Sequence, residues 1–250
     1  WIHVHGAGIN HWMPLEALPR RITLTNSRGV HGERATEYVM MAVLALNNRL
    51  PEMVTHQRSG RWQQCFSTTL AGKTLLIIGV GHIGSAVARW AKGVGLHVIG
   101  IRRSGKPRRW VDEMYQTGEL VFVLPRANFV LISAPHTRET DQLIGARELD
   151  KMKSGAGLIN YSRAGLVDYE ALRARLDTGR LSAVLDVFSP EPLPTESPLW
   201  QTKNLLITPH CSSDDQAYYT PRTLDLVFDN VQRFIEGKPL RNCVSRRLQY

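Results

Sequence analysis

The stretch "LLIIGVGHIGSAVARWAKGVGLHVIGIRRS", residues 75–104, restricts most tightly what this chain can become. An apolar run of strand character breaks at Gly79, Gly81 and Gly84, and an amphipathic helix pattern follows. A second apolar run then ends on two arginines and a serine. The spacing G-x-G-x-x-G between a strand and a helix predicts a dinucleotide-binding turn. Gly79 permits the tight bend, Gly81 lets a pyrophosphate approach the backbone, and Gly84 lets helix and strand pack closely. The free N–H groups of the first helical turn, including those of His82 and Ile83, then face the phosphates with the positive end of the helix dipole behind them. For His82 the backbone N–H, not the ring, is the group expected to matter.

The end of the second run bears on which dinucleotide binds. NAD-binding domains carry an Asp or Glu about 20 residues beyond the glycines, where it accepts hydrogen bonds from ribose hydroxyls. Here that position reads Arg102, Arg103, Ser104, with no acid. Arginine offers a planar fork of donors that suits a 2′-phosphate. The sequence therefore predicts NADP(H) as the preferred cofactor, with NAD(H) possible.

Hydrophobic periodicity orders the remaining elements. "WIHVHG" and "RITLTN" read as short strands, and "ERATEYVMMAVLALNNRL" as a long helix. Strands are predicted at 74–79, 97–101, 129–134, 156–161, 182–187 and 205–208, with helices at 82–93, 168–178 and about 216–236. Strands that are apolar throughout, alternating with amphipathic helices, indicate a parallel sheet covered on both faces. The expected fold class is α/β, a doubly wound (Rossmann) dinucleotide-binding domain at 31–216. Residues 1–30 and 217–250 form a second, smaller, discontinuous piece.

Composition removes other classes. An apolar share of 43% describes a folded protein rather than a disordered one. No stretch of eighteen apolar residues exists, so no membrane span is expected, and the start shows no signal-peptide pattern. Three widely spaced cysteines give no disulfide framework and favour a reducing cytoplasm. The net charge of +9 is spread along the chain, so nucleic acid is not expected as a partner. His3 and His5 share a strand face but lack a third ligand, and no metal is expected. Cys211 beside His210 reads as a small packed residue, since adjacent side chains of extended chain point apart.

Three later stretches, "LINYSRAGLVD" (158–168), "LDVFSPEPLP" (185–194) and "LLITPHCSS" (205–213), each follow or end an apolar strand. Carboxyl ends of parallel strands form one rim where ligands gather. Arg163, Glu191 and His210 are thus expected to converge on the crevice of the glycine turn.

Together with "HGAGIN", "TNSRGVHG", "TEYVM", "SAPHTRETDQLIG", "SPLW" and "NLLITPH", these motifs resemble those of the NAD(P)-dependent D-2-hydroxyacid dehydrogenases over nearly the whole chain. The resemblance implies reduction of a small 2-oxo acid such as glyoxylate or hydroxypyruvate, and a homodimer. It makes Arg163, Glu191 and His210 the catalytic set. His210 would donate the proton, Glu191 would stabilise its imidazolium, and Arg163 would hold the substrate carboxylate. The amides at Ala7 and Gly8 would grip the same carboxylate. Asp186 would bond the nicotinamide amide, and Ala134, Pro135, Thr140 and Ser162 would border the dinucleotide.

The chain departs from the family at three places, one of them Ile9-Asn10 after the "GAG" loop, where an aspartate is common and a local hydrogen bond would change character. Ala164 stands where glycine is usual, so a methyl group would shift the loop if the position needed positive φ. The "GAG" loop begins at residue 6, whereas family members carry several strand–helix units before it. The smaller domain is therefore expected to be incomplete at its amino end. The alternatives are a dinucleotide-sensing, corepressor-like binding protein and an inactive truncated dehydrogenase. The helix at 33–49 is apolar on more than one face, which suits burial against a second subunit.

Overall fold

The computed structural model describes residues 1–250. In chain order its first elements are β1 (Ile2–Val4), β2 (Leu24–Asn26), α1 (Gly32–Asn47), α2 (Leu50–Arg58), β3 (Thr74–Ile78), α3 (His82–Gly93), β4 (His97–Ile101) and β5 (Glu113–Tyr115). They continue with α4 (Leu120–Val123), β6 (Phe129–Ile132), α5 (Ala146–Lys151), β7 (Gly157–Asn160), α6 (Tyr169–Asp177), β8 (Ser182–Leu185), β9 (Leu205–Ile207) and α7 (Tyr219–Ile235). Two units form: Ala35–Ser212 is one, and Trp1–Arg34 with Ser213–Tyr250 is the other.

The larger unit holds a seven-stranded sheet in the order β5-β4-β3-β6-β7-β8-β9, parallel throughout. This is the α/β class that the sequence predicts. The chain winds outward from β3 to β5, then returns to β6 on the other side of β3. That reversal opens a crevice beyond the carboxyl ends of β3 and β6. Side chains alternate between the faces, as the strand period demands. Leu76, Ile78, Val130, Ile132 and Leu158 enter one core, while Leu75, Ile77, Phe129, Leu131 and Ile159 enter the other. Each fully buried side chain of this size contributes roughly 1.5–3 kcal/mol of hydrophobic stabilisation, so the rim rests on a rigid platform.

Four regular elements escape the sequence reading. β5 is a half-buried edge strand of three residues, without an apolar run to mark it. α4 and α5 have four and six residues, fewer than two helical turns. α2 follows α1 after a break at Arg49, whose φ of 58° lies in the left-handed region. No helix is long and apolar enough to cross a membrane.

The terminal unit pairs β1 with β2 in parallel over a small core of Val4, Ile9, Leu15 and Leu24. Its end is tied down by Arg246, whose guanidinium donates to the carbonyls of Leu15, Leu18, Pro19 and Ile22 at 2.7–3.2 Å. On β1 the His3 ring bonds the hydroxyls of Thr25 and Ser27, and just past the strand the His5 ring bonds that of Tyr219.

Candidate active site

The three glycines of the turn do three different jobs. Gly79 has φ of 100°, and a Cβ there would lie 2.5 Å from the Ala134 nitrogen, so the turn presses directly on the end of β6. A Cβ on Gly84 would lie 2.5 Å from the Gly79 carbonyl oxygen, which is the close helix–strand contact expected of the third glycine. A Cβ on Gly81 would meet nothing within 4 Å. That open face lies at the amino end of α3, where no side chain caps the free N–H groups. The turn thus offers unpaired donors, the positive end of a twelve-residue helix and room for a phosphate. These features fit a bound pyrophosphate.

Beyond β4 the chain turns through Arg102, Arg103 and Ser104. The Arg102 amide donates to the Tyr115 carbonyl at 3.0 Å, and the Ser104 hydroxyl accepts from the Lys106 amide at 3.4 Å. Arg103 and Ser104 are exposed and Arg102 is half-buried. No carboxylate occupies the turn, so no acceptor for ribose hydroxyls is present where one is usual.

At the neighbouring strand ends, Ser162 donates its hydroxyl to the Ala134 carbonyl at 2.5 Å, joining the β6 and β7 loops. Thr140 donates to the Pro135 carbonyl at 2.7 Å. Buried Asn160 donates to the Arg163 carbonyl and to the Tyr169 hydroxyl, each at 3.0 Å, and accepts from the Ser162 amide at 3.1 Å. This network fixes the backbone that carries Arg163. The Arg163 guanidinium donates to the Ser162 carbonyl at 2.6 Å and has no carboxylate bonded to it. Burial lowers its pKa, and the charge of Glu191 works in the opposite sense. A partly desolvated guanidinium with donors left over is a ready carboxylate receptor. Ala164 has no positive φ, so its methyl group costs no backbone strain. The shift considered from the sequence does not arise.

Glu191 and His210 meet. The imidazole Nδ1 donates to Glu191 Oε2 at 2.6 Å, while Oε1 of the same carboxylate accepts from the Phe188 amide at 2.7 Å. Holding Nδ1–H in this way fixes the ring and leaves Nε2 free. Glu191 is therefore the shared neighbour of the other two groups, bonded to His210 and within electrostatic range of Arg163.

Asp186 sits beneath the loop at 208–212. It is fully buried, and its Oδ1 accepts from Thr208 Oγ1 at 2.6 Å and the Cys211 amide at 3.1 Å. Oδ2 accepts from the Ser212 amide at 3.1 Å. Three bonds thus pin the loop on both sides of His210, whose own φ of 51° is left-handed. Tyr38 braces the same loop through its hydroxyl, 2.7 Å from Thr208 Oγ1. Cys211, expected to be packed, is exposed: the turn at His210 directs the thiol outward while Asp186 holds the amide. Asn160, Tyr169 and Tyr38 were not marked by the sequence, because each lies in a segment that reads simply as apolar strand or helix.

Ala7 and Gly8 lie in the terminal unit, where Asn26 Nδ2 donates to the Ala7 carbonyl at 2.7 Å. Far along the sequence from these motifs, Glu52, His56 and Cys65 bring one ligand atom each within 4.8 Å of one another. Arg49 clamps Glu52 through two bonds of 2.9 and 2.8 Å, and burial raises the Cys65 thiol pKa. Both effects oppose a cation there.

The family model described as "D-isomer specific 2-hydroxyacid dehydrogenase, NAD binding domain" matches residues 40–212. Among curated relatives, a glyoxylate reductase of Korarchaeum cryptofilum is 33% identical over 243 residues, covering 93% of this chain and 72% of the relative. Among solved structures, an NADPH-dependent glyoxylate/hydroxypyruvate reductase of Sinorhizobium meliloti, in complex with NADP and sulfate, is similar with a TM-score of 0.89 and 29% identity. It covers 99% of this chain and 79% of that one. A D-isomer specific 2-hydroxyacid dehydrogenase of Xanthobacter autotrophicus, in complex with NADPH and MES, also gives 0.89, at 31% identity over 99% of this chain and 78% of that one.

Proposed function

Since the chain belongs to the D-isomer specific 2-hydroxyacid dehydrogenase family, whose members are NAD(P)-dependent oxidoreductases, we propose that it reduces a small 2-oxo acid to the D-2-hydroxy acid and prefers NADP(H). The observation that carries the catalytic half is the bonded Glu191–His210 pair with Nε2 left free. A cofactor sensor has no need of such a pair, which favours catalysis over the corepressor-like alternative.

The steps follow from the groups present. Arg163 binds the substrate carboxylate through donors that no protein acid occupies. A reduced nicotinamide bound along this rim would supply the hydride for the carbonyl carbon. His210 gives its Nε2 proton to the carbonyl oxygen, and Glu191 stabilises the imidazolium before that transfer. In the reverse direction the neutral imidazole takes the proton from the alcohol. Gly81 and the amides of His82 and Ile83 hold the pyrophosphate. Ala134, Pro135, Thr140 and Ser162 border the dinucleotide. Asp186 keeps its proposed bond to the nicotinamide amide alongside the three it makes to the loop. Ala7 and Gly8 keep the role of further carboxylate donors that the resemblance assigns.

Arg102, Arg103 and Ser104 in place of an acid support NADP(H) over NAD(H). The relatives' names, glyoxylate reductase and glyoxylate/hydroxypyruvate reductase, support glyoxylate and hydroxypyruvate as the first substrates to try. A homodimer is part of the proposal. Met41, Leu44, Leu50, Met53, Trp62 and Phe66 are exposed large apolar side chains on and after α1, and burial in a subunit interface would remove them from water. Three free thiols suit a cytoplasmic setting. Steady-state kinetics with both 2-oxo acids and both reduced cofactors test the reading. Turnover with NADPH well above NADH supports it, and equal rates, or none with either acid, refute it.

A further inference from the structure

From the open face of the glycine turn a cleft of about 490 Å³ runs outward past Gly81 and His82, and its outer lining, Arg89, Arg108, Arg109 and Trp110, has no role in the reading above. One wall is Gly81 with the α3 residues His82 and Arg89; the other is the loop at 108–110, with Arg108, Arg109 and Trp110. No acidic side chain lines it. Elsewhere on the surface the arginines of this chain are commonly matched by acids, as Arg175 is by Asp150 and Arg222 by Glu33. Three guanidiniums sharing one cleft without such a match repel one another, and an anion relieves that repulsion.

The position of the cleft identifies the anion. Helical side chains lean toward the amino end, so Arg89, eight residues beyond Gly81, reaches back toward the turn and lines the same space. The Arg109 guanidinium lies 4.4 Å from the centroid of the Trp110 ring, which holds it in place. Trp110 itself has φ of 70°, a left-handed conformation that bulky residues rarely adopt and that binding loops often retain. The same chain segment begins at Arg102 and Arg103, so strand end and cleft wall are two parts of one basic loop. A dinucleotide with its pyrophosphate on the turn has one further anionic group on its adenosine side, the 2′-phosphate.

We propose that Arg89 and Arg108 are specificity-determining residues that bind the 2′-phosphate of NADP(H), with Arg109 and Trp110 forming the cleft wall that holds them to it. This rests on the NADP(H) preference proposed above. It extends the selecting group from the end of β4 to two arginines, Arg89 and Arg108, that lie outside the G-x-G-x-x-G spacing and the strand end that follows it.

Isothermal titration with 2′-phospho-ADP-ribose and with ADP-ribose tests it without turnover. The variants are Arg89→Gln with Arg108→Gln, and Arg108→Gln alone on its exposed loop. The wild type should bind the 2′-phosphorylated ligand more tightly. The double variant should lose about 10- to 100-fold of that affinity, as expected for charge-assisted bonds, while ADP-ribose affinity stays within about twofold and certifies the fold. The single variant should lose a smaller part of the same preference. Equal losses for both ligands would mean that the arginines grip the pyrophosphate, and would overturn the proposal. A preference that survives in both variants would overturn it while leaving the NADP(H) reading intact. A wild type that binds the two ligands equally would remove that reading and the proposal with it.

Discussion

Asp186→Asn removes one charge from a fully buried position without changing side-chain volume. The aspartate accepts three bonds, from Thr208 Oγ1 and the amides of Cys211 and Ser212. Asparagine keeps one oxygen, which can serve the Oδ1 side. Its amide nitrogen then faces the Ser212 N–H, donor against donor, and an unsatisfied buried donor costs about 1–3 kcal/mol. The two surviving bonds lose their charge assistance, about 1 kcal/mol each. Relief of the buried charge's desolvation offsets part of this. A net cost of about 2–4 kcal/mol therefore falls on the loop that orients His210. The expected result is a drop in kcat of about 10- to 100-fold, with faster hydrogen exchange at the Cys211 and Ser212 amides. Stopped assays at saturating substrate and cofactor, together with exchange mass spectrometry, provide the readouts. Unchanged kcat with unchanged exchange would refute the positioning argument. A rise in cofactor KM alone, with kcat and exchange intact, would assign Asp186 to the nicotinamide instead.

Gly84→Ala and Gly81→Ala should separate fold from cofactor. The Gly84 methyl would lie 2.5 Å from the Gly79 carbonyl oxygen, so a cost of about 1–3 kcal/mol and a Tm lower by several degrees are expected. The Gly81 methyl meets nothing, so Tm should hold while NADPH binding is lost; equal Tm values for the two variants would contradict this. Glu113 is held down to about 2 by Arg126 first, then by Tyr115 and His97. Because the folded pKa lies below the usual 4.5, the stabilisation is complete above that value and disappears as pH falls toward 2. The Tm advantage of wild type over Glu113→Gln should therefore shrink on acidification below about pH 4.5; a constant gap would refute it. Sedimentation at micromolar concentration should give a dimer that Trp62→Ser with Phe66→Ser weakens; a wild-type monomer would reject the interface.

The legible parts of the sequence were those where chemistry and spacing coincide. Three glycines at fixed offsets between a strand and a helix have few alternative uses, and the structure gives each a distinct contact or opening. Apolar strands alternating with helices led to the parallel sheet, because only burial on both faces tolerates such runs. The illegible parts depend on tertiary neighbours. Asn160 looks like an incidental polar residue ending an apolar strand until Tyr169 and the Arg163 carbonyl arrive beside it. Asp186 carries no spacing signal for the loop it holds, since Thr208 and Ser212 lie more than twenty residues away. The outward thiol of Cys211 follows from a left-handed φ at His210, which extended-chain reasoning cannot foresee.

Proton transfer by the imidazole is tested most directly with His210→Gln, comparing single-turnover NADPH oxidation in the presence of glyoxylate with NADPH affinity by fluorescence titration. A general acid of this kind contributes about 10²- to 10⁴-fold, so oxidation should slow by at least that lower factor while NADPH affinity is unchanged. Oxidation at the wild-type rate would contradict the role given to His210 and, with it, the purpose of its bond to Glu191.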